Sequence, residues 1–254
     1  MRSLFFLFAL GLTAVLGVNS QQRIIGGSQT TIQNYPFAAV VLRNTNQGYV
    51  QTCGGVILNN RSVLSAAHCF FGTSSNVWRI RVGSSYANSG GSTRNVGRLI
   101  VHPNYYHAMK QNDVGIFRVS SSFSLGGNVQ PGRFASSNYN IADNQAVWTI
   151  GWGATSINGP KSNQLRHVQV RTVNQNTCRS NYNIIAMTVT NSMMCAGMLN
   201  EGGRDPCLGD FGGPLIHNGV VVGISSWGSG CGYRGYPAVY SRVPVYINWI
   251  QNNS

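Results

Sequence analysis

The chain has 254 residues, long enough for one large all-β domain or two small packed units with a real core. Eighteen basic residues face five acidic ones, for a net charge of +13. That charge invites a nucleic-acid partner, but the arginines stand singly, with no basic run or helix and no binding motif, so this class is set aside.

Residues 1–17 read as a secretory signal. Arg2 supplies a positive start, residues 4–16 are apolar except for Gly11 and Thr13, and Val15 and Gly17 suit a cleavage site. The run is too short for a membrane anchor, which needs ~20 apolar residues. Residues 18–23 then form a propeptide and 24–254 the mature domain. Short apolar or alternating runs bounded by Gly, Asn, Ser and Pro predict strands over 37–42, 50–58, 78–82, 114–119, 146–150, 165–173, 220–226 and 238–243. With 31 glycines, this is the pattern of an all-β barrel or sandwich. The exception is 243–251, where Pro244 fits a first helical turn and Val243, Tyr246, Trp249 and Ile250 share one face. That segment predicts a C-terminal helix packed on the barrel. No repeat or linker marks a second domain.

Six cysteines follow the signal: Cys53, Cys69, Cys178, Cys195, Cys207 and Cys231. In a secreted chain an even count reads as three disulfides, with 15 pairings open at this point. None of the spacings is C-x-x-C, so zinc is not expected.

Four segments carry candidate chemistry. Arg23-Ile24-Ile25-Gly26-Gly27 suits cleavage after Arg23 by a trypsin-like activator. The freed Ile24 ammonium, if buried, needs a buried anion. In Ser65-Ala66-Ala67-His68-Cys69, small residues let the chain pass under a cleft beside an imidazole. Asn112-Asp113-Val114 sets an acid just before a buried strand, where a carboxylate can orient that imidazole. The fourth segment is Asp205-Pro206-Cys207-Leu208-Gly209-Asp210-Phe211-Gly212-Gly213-Pro214-Leu215.

Taken in the order His, Asp, glycine-rich loop, these segments resemble the chymotrypsin/trypsin family of serine endopeptidases over residues 24–252. Ser226-Trp227-Gly228 falls at the family spacing as well. The Arg-rich, Lys-poor composition (16 Arg, with only Lys110 and Lys161) is similar to that of digestive trypsins of insect larvae with alkaline guts. Arginine holds its charge past pH ~12.5 whereas lysine loses it near ~10.4, so such a surface stays soluble in alkali.

The resemblance implies an all-β fold of two six-stranded antiparallel β-barrels with the site between them. It implies His68 as general base, Asp113 as the residue orienting it, and the N–H groups of Gly209 and residue 211 as an oxyanion hole. Asp210 becomes the anion for the Ile24 ammonium, and Asp205 the acid at the base of a pocket for Arg or Lys. Ser226, Trp227 and Gly228 become the edge that pairs with substrate backbone. The implied disulfides are Cys53–Cys69, Cys178–Cys195 and Cys207–Cys231.

The departures from the family decide the function. Phe211 stands where the family has its nucleophilic serine. A benzyl group has no lone pair to attack a carbonyl and no proton for His68 to take, so no acyl-enzyme forms. Its ring would also crowd the position of a scissile carbonyl. Pro206 follows the pocket acid, and Ala238 stands where trypsins carry glycine, narrowing the pocket. The segment 84–95, matching the family's calcium loop, has no Asp or Glu, so no calcium, other metal or cofactor is expected. Asn60-Arg61-Ser62 and Asn252-Asn253-Ser254 are glycosylation sequons.

The expected protein is therefore a secreted, extracellular, monomeric, proteolytically inactive protease homologue, and its resemblance to larval digestive trypsins implies an alkaline gut lumen. It acts as a binding, decoy or cofactor protein. Its partners are protein substrates or protease inhibitors at the cleft and the activating protease, with no nucleic acid and no membrane after signal removal. The alternative is an active trypsin-like endopeptidase of protein digestion, should Phe211 be an allele or a read error, since Phe and Ser codons can differ by one base.

Overall fold

In the computed structural model, residues 27–156 and 159–254 are described; the signal segment, Arg23 and Ile24 lie outside them. After a short strand β1 (Ser28–Gln29), six strands make the first barrel: β2 (Ala38–Thr45), β3 (Gly48–Ile57), β4 (Ser62–Ser65), β5 (Trp78–Val82), β6 (Ser92–Val101) and β7 (Gly115–Val119). They run antiparallel in the order β2-β3-β4-β7-β6-β5 and close through β5 on β2. Strand β5 shows why the segment folds this way. Trp78, Ile80 and Val82 turn into the core, while Arg79 and Arg81 alternate outward. The Arg79 guanidinium lies 4.0 Å over the Tyr49 ring.

The second barrel comprises β8 (Ala146–Gly151), β9 (Arg166–Val173), β10 (Met193–Gly197), β11 (Pro214–His217), β12 (Val220–Trp227) and β13 (Ala238–Arg242). Its order β8-β9-β10-β13-β12-β11 returns to β8, and β1 adds to β9 from outside. Closure leaves neither barrel a long free edge. A buried seam joins them: Val56, Leu64 and Ile116 of the first share one cluster with Leu215, Ile224 and Tyr240 of the second. Full burial of each such aliphatic side chain contributes about 1.5–3 kcal/mol, so the seam fixes the cleft geometry. The two barrels expected from the resemblance are present.

So are the three implied disulfides, Cys53–Cys69, Cys178–Cys195 and Cys207–Cys231. The C-terminal helix α2 runs Val243–Asn253, two residues past the expected end. Its buried face is Val243, Tyr246, Ile247 and Ile250; Trp249 packs only partly.

The apolar runs did not locate strands β1, β4, β6, β10 and β11 or the helix α1 (Gln175–Asn183). Strand β6 buries only Val96 fully, so its sequence carries no alternation. Helix α1 is polar except for Cys178 and Tyr182, one turn apart on its buried side. Its start is fixed by Asn174, whose Oδ1 accepts from the N–H groups of Asn176 and Thr177, a cap worth about 1 kcal/mol. Among the described residues no helix is long and apolar enough to cross a membrane.

Candidate active site

The first barrel supplies two of the expected residues. His68 sits in a short 3-10 turn (Ala67–Cys69) after β4, and Asp113 lies two residues before β7. The His68 Nδ1–Asp113 Oδ2 distance is 2.6 Å, and the His68 backbone N–H donates to Oδ1 at 2.8 Å. Asp113 is fully buried, and a third donor, the Ser226 hydroxyl, holds Oδ2 from the second barrel. One carboxylate thus fixes both the ring and the main chain of His68. Ser226, expected to work through its backbone, also braces Asp113.

Phe211 meets this pair across the cleft. Its carbonyl accepts from Gly54 N–H at 2.8 Å, and the following Gly212 N–H donates to Ser225 at 2.7 Å. Gly212 has φ +81°, and a Cβ there would lie 2.1 Å from Ser65 Oγ, so the turn requires glycine. The Phe211 ring stands edge-on to His68, with centroids 5.4 Å apart and an interplanar angle of 74°. It packs on the first-barrel cluster that contains Cys53 and Phe70. The described His68 imidazole therefore has an aromatic edge, not a hydroxyl, beside it.

Asp210 is buried beneath the same turn. Its Oδ1 accepts from Gly153 N–H at 2.7 Å and its Oδ2 from Cys207 N–H at 3.1 Å. Glycines at 151 and 153 make room: a Cβ on either would come within 2.4 Å of a carboxylate oxygen. Burial pushes the Asp210 carboxyl up to about 6, against the two N–H donors and the nearby Lys161 cation, which favour its charge. The Lys161 Nζ donates to the Gln51 carbonyl at 2.6 Å, and the Gln51 side chain donates to the Gly209 carbonyl at 2.6 Å. Neither Lys161 nor Gln51 was singled out in the sequence, because neither lies in a motif.

Asp205 is 2% exposed. Its Oδ2 accepts from Gly232 N–H at 2.8 Å, and the Ala238 N–H also favours its charged form. Desolvation raises its carboxyl to about 8. Pro206 beside it and Ala238 on β13 are buried too. Trp227 packs edge-on against Tyr182 at 4.8 Å, and the Tyr182 hydroxyl donates to the Pro237 carbonyl at 2.7 Å. Tyr182 thereby braces the segment leading to Ala238, a role hidden in a polar helix.

Among the described residues the one cluster with metal-ligand spacing is Cys53, His68 and Cys69, and both its sulfurs are spent in a disulfide. In the loop 84–95, the Arg81 guanidinium donates to the carbonyls of Gly90 and Asn88. A protein cation thus takes the carbonyls a metal ion would seek.

Two closed barrels with a His–Asp pair at their junction, its aspartate fully buried, define the chymotrypsin fold. The trypsin family model matches residues 24–250. Over its whole length the chain is 53% identical to alkaline trypsin B of Manduca sexta and 50% identical to trypsin CFT-1 of Choristoneura fumiferana, covering each completely. It is 49% identical to achelase-1 of Lonomia achelous, with 91% of the chain and all of the relative covered. The chain belongs to the trypsin family of serine proteases.

Proposed function

We propose that this chain is a secreted binding protein that keeps a protease-shaped cleft and does not cleave what it binds. The observation that carries the reading is the Phe211 ring standing edge-on to His68 where a nucleophile would need an oxygen. Cleavage after Arg23 by a trypsin-like protease matures it, the Ile24 ammonium pairing with Asp210. Its partners are protein chains at the cleft, protease inhibitors among them, and it works as a monomer. The arginine bias suits an alkaline medium such as gut fluid, and the Manduca sexta relatives are named alkaline trypsins. The test compares the matured protein with a His68→Ala control on Arg and Lys ester and amide substrates. Equal rates and no labelling by an organofluorophosphate are expected; stoichiometric labelling overturns the reading.

The second reading is an active trypsin-like endopeptidase of digestion, favoured by the name trypsin on several relatives. It requires serine at position 211, so sequencing that codon in several individuals separates the two.

A further inference from the structure

The two sides of the cleft are furnished differently. On the acyl side, Asp205 is buried with no cation paired to it among the described residues, and β12 ends at Ser226-Trp227, followed by Gly228. A buried carboxylate in that state calls for a cationic donor. On the other side, in hydrolysis of this type, the imidazole hands a proton to the leaving amine, so the chain beyond the cut runs past His68 away from the pocket acid. There the Phe211 ring lies, edge-on to His68 and packed on the first-barrel cluster.

From this asymmetry we infer that the cleft receives the C-terminal end of a peptide whose last residue is arginine or lysine, and turns away chains that continue beyond it. The inference rests on the binding reading above and gives it a ligand class, the products of trypsin-like cleavage. A following residue would need the volume that the ring fills. A terminal carboxylate needs little volume, only donors, and the turn has them. The N–H groups of Gly209 and Phe211 donate to no protein group among the described residues. Among the described residues the one polar contact of His68 Nε2 is Cys69 Sγ, at 4.0 Å. Capture of a C-terminal carboxylate by free backbone N–H groups is an established recognition mode, and charge-assisted bonds of this kind are the stronger ones.

Calorimetry on the matured full-length protein tests it with three peptides of one sequence: one ending in Arg with a free carboxylate, its C-terminal amide, and one extended by two alanines. The acid should bind at least about tenfold more tightly than the amide, a difference of ~1.4 kcal/mol, and the extended peptide more weakly still. Phe211→Gly should restore binding of the extended peptide. If Phe211→Gly does not fold, Phe211→Leu is used, and His68 imidazole signals in the unsubstituted protein should move with the acid and not with the amide. Equal affinity for all three peptides, or discrimination unchanged when the ring is removed, overturns the inference. Recovery of the extended peptide as two fragments overturns the non-catalytic reading instead, so the two failures are told apart.

Discussion

The Phe211 ring and the His68 imidazole meet edge to face, 5.4 Å between centroids. Such a contact contributes about 0.5–1.5 kcal/mol beyond its buried area, so the ring is held in place against the imidazole. The His68–Asp113 pair beneath it keeps a 2.6 Å separation, and the turn carrying residue 211 keeps its glycines.

A single change should therefore reveal latent chemistry. Phe211→Ser puts a hydroxyl beside an imidazole already oriented by Asp113. We expect matured Phe211→Ser to hydrolyse Arg esters measurably and to bind Arg-loop protein inhibitors more tightly than the unsubstituted protein. Adding Asp113→Asn should cut that activity by about 10⁴, the usual cost of losing the orienting carboxylate. A Phe211→Ser protein as inert as its His68→Ala partner in a steady-state assay would locate a second defect, at Pro206 or Ala238.

The parts of this site that were legible in the sequence are those carried by short contiguous motifs. His68 and Asp210 lie beside small residues or cysteines in a distinctive order, and Asp113 and Asp205 lie within segments that carry the resemblance. What was hidden is support from a distance. Tyr182 braces Pro237 from 55 positions away, and Lys161 reaches Gln51 across 110. Likewise the strands with clear alternation, such as β5, were foreseen, whereas β6 presents polar residues on both faces and β4 is short and begins and ends in serine. Helix α1 escaped because its cap is a side chain and its apolar face is only two residues wide.

Ligand binding at Asp205 should depend on pH in one direction. Burial raises this carboxyl to about 8, so below that pH it holds a proton that a cationic ligand reaching it must displace. Benzamidine affinity should rise about tenfold per pH unit up to pH about 8 and level off above it. Asp205→Asn should abolish both the binding and the slope. Titration calorimetry between pH 6 and 9 in buffers of different ionisation enthalpy should also show one proton released per ligand at the acid end; a flat profile contradicts the assignment.

The loop 84–95 should be indifferent to metal. Its Gly90 and Asn88 carbonyls already accept from Arg81, and it carries no carboxylate. Millimolar calcium or a chelator should leave the melting temperature unchanged. Arg81→Gln should lower it, since it leaves those carbonyls without their charged donor. A calcium-dependent rise in the unsubstituted protein would contradict this account.

Maturation should stabilise the protein most strongly where Asp210 is charged. In the described structure its carboxyl is raised from 3.8 to about 6, so the folded state before cleavage prefers the proton. Stability of that form therefore falls as pH rises from about 4 to about 6 and is level beyond, as far as this group is concerned. Cleavage after Arg23 would deliver the Ile24 ammonium, which favours the charged carboxylate and reverses that loss. The gain in melting temperature on cleavage is thus expected to be small at pH 4.5 and large near pH 7.5. It should decline again once the ammonium loses its proton, above the ordinary ~8 of a free α-amino group. In the cleaved protein Asp210→Ala should cost about 3–5 kcal/mol, because it strands a buried ammonium, whereas in the uncleaved chain the same change should cost far less. Paired denaturant titrations of cleaved and uncleaved protein measure both quantities. A cleavage gain independent of pH, or an equal cost of Asp210→Ala in the two forms, would show that no ammonium reaches Asp210.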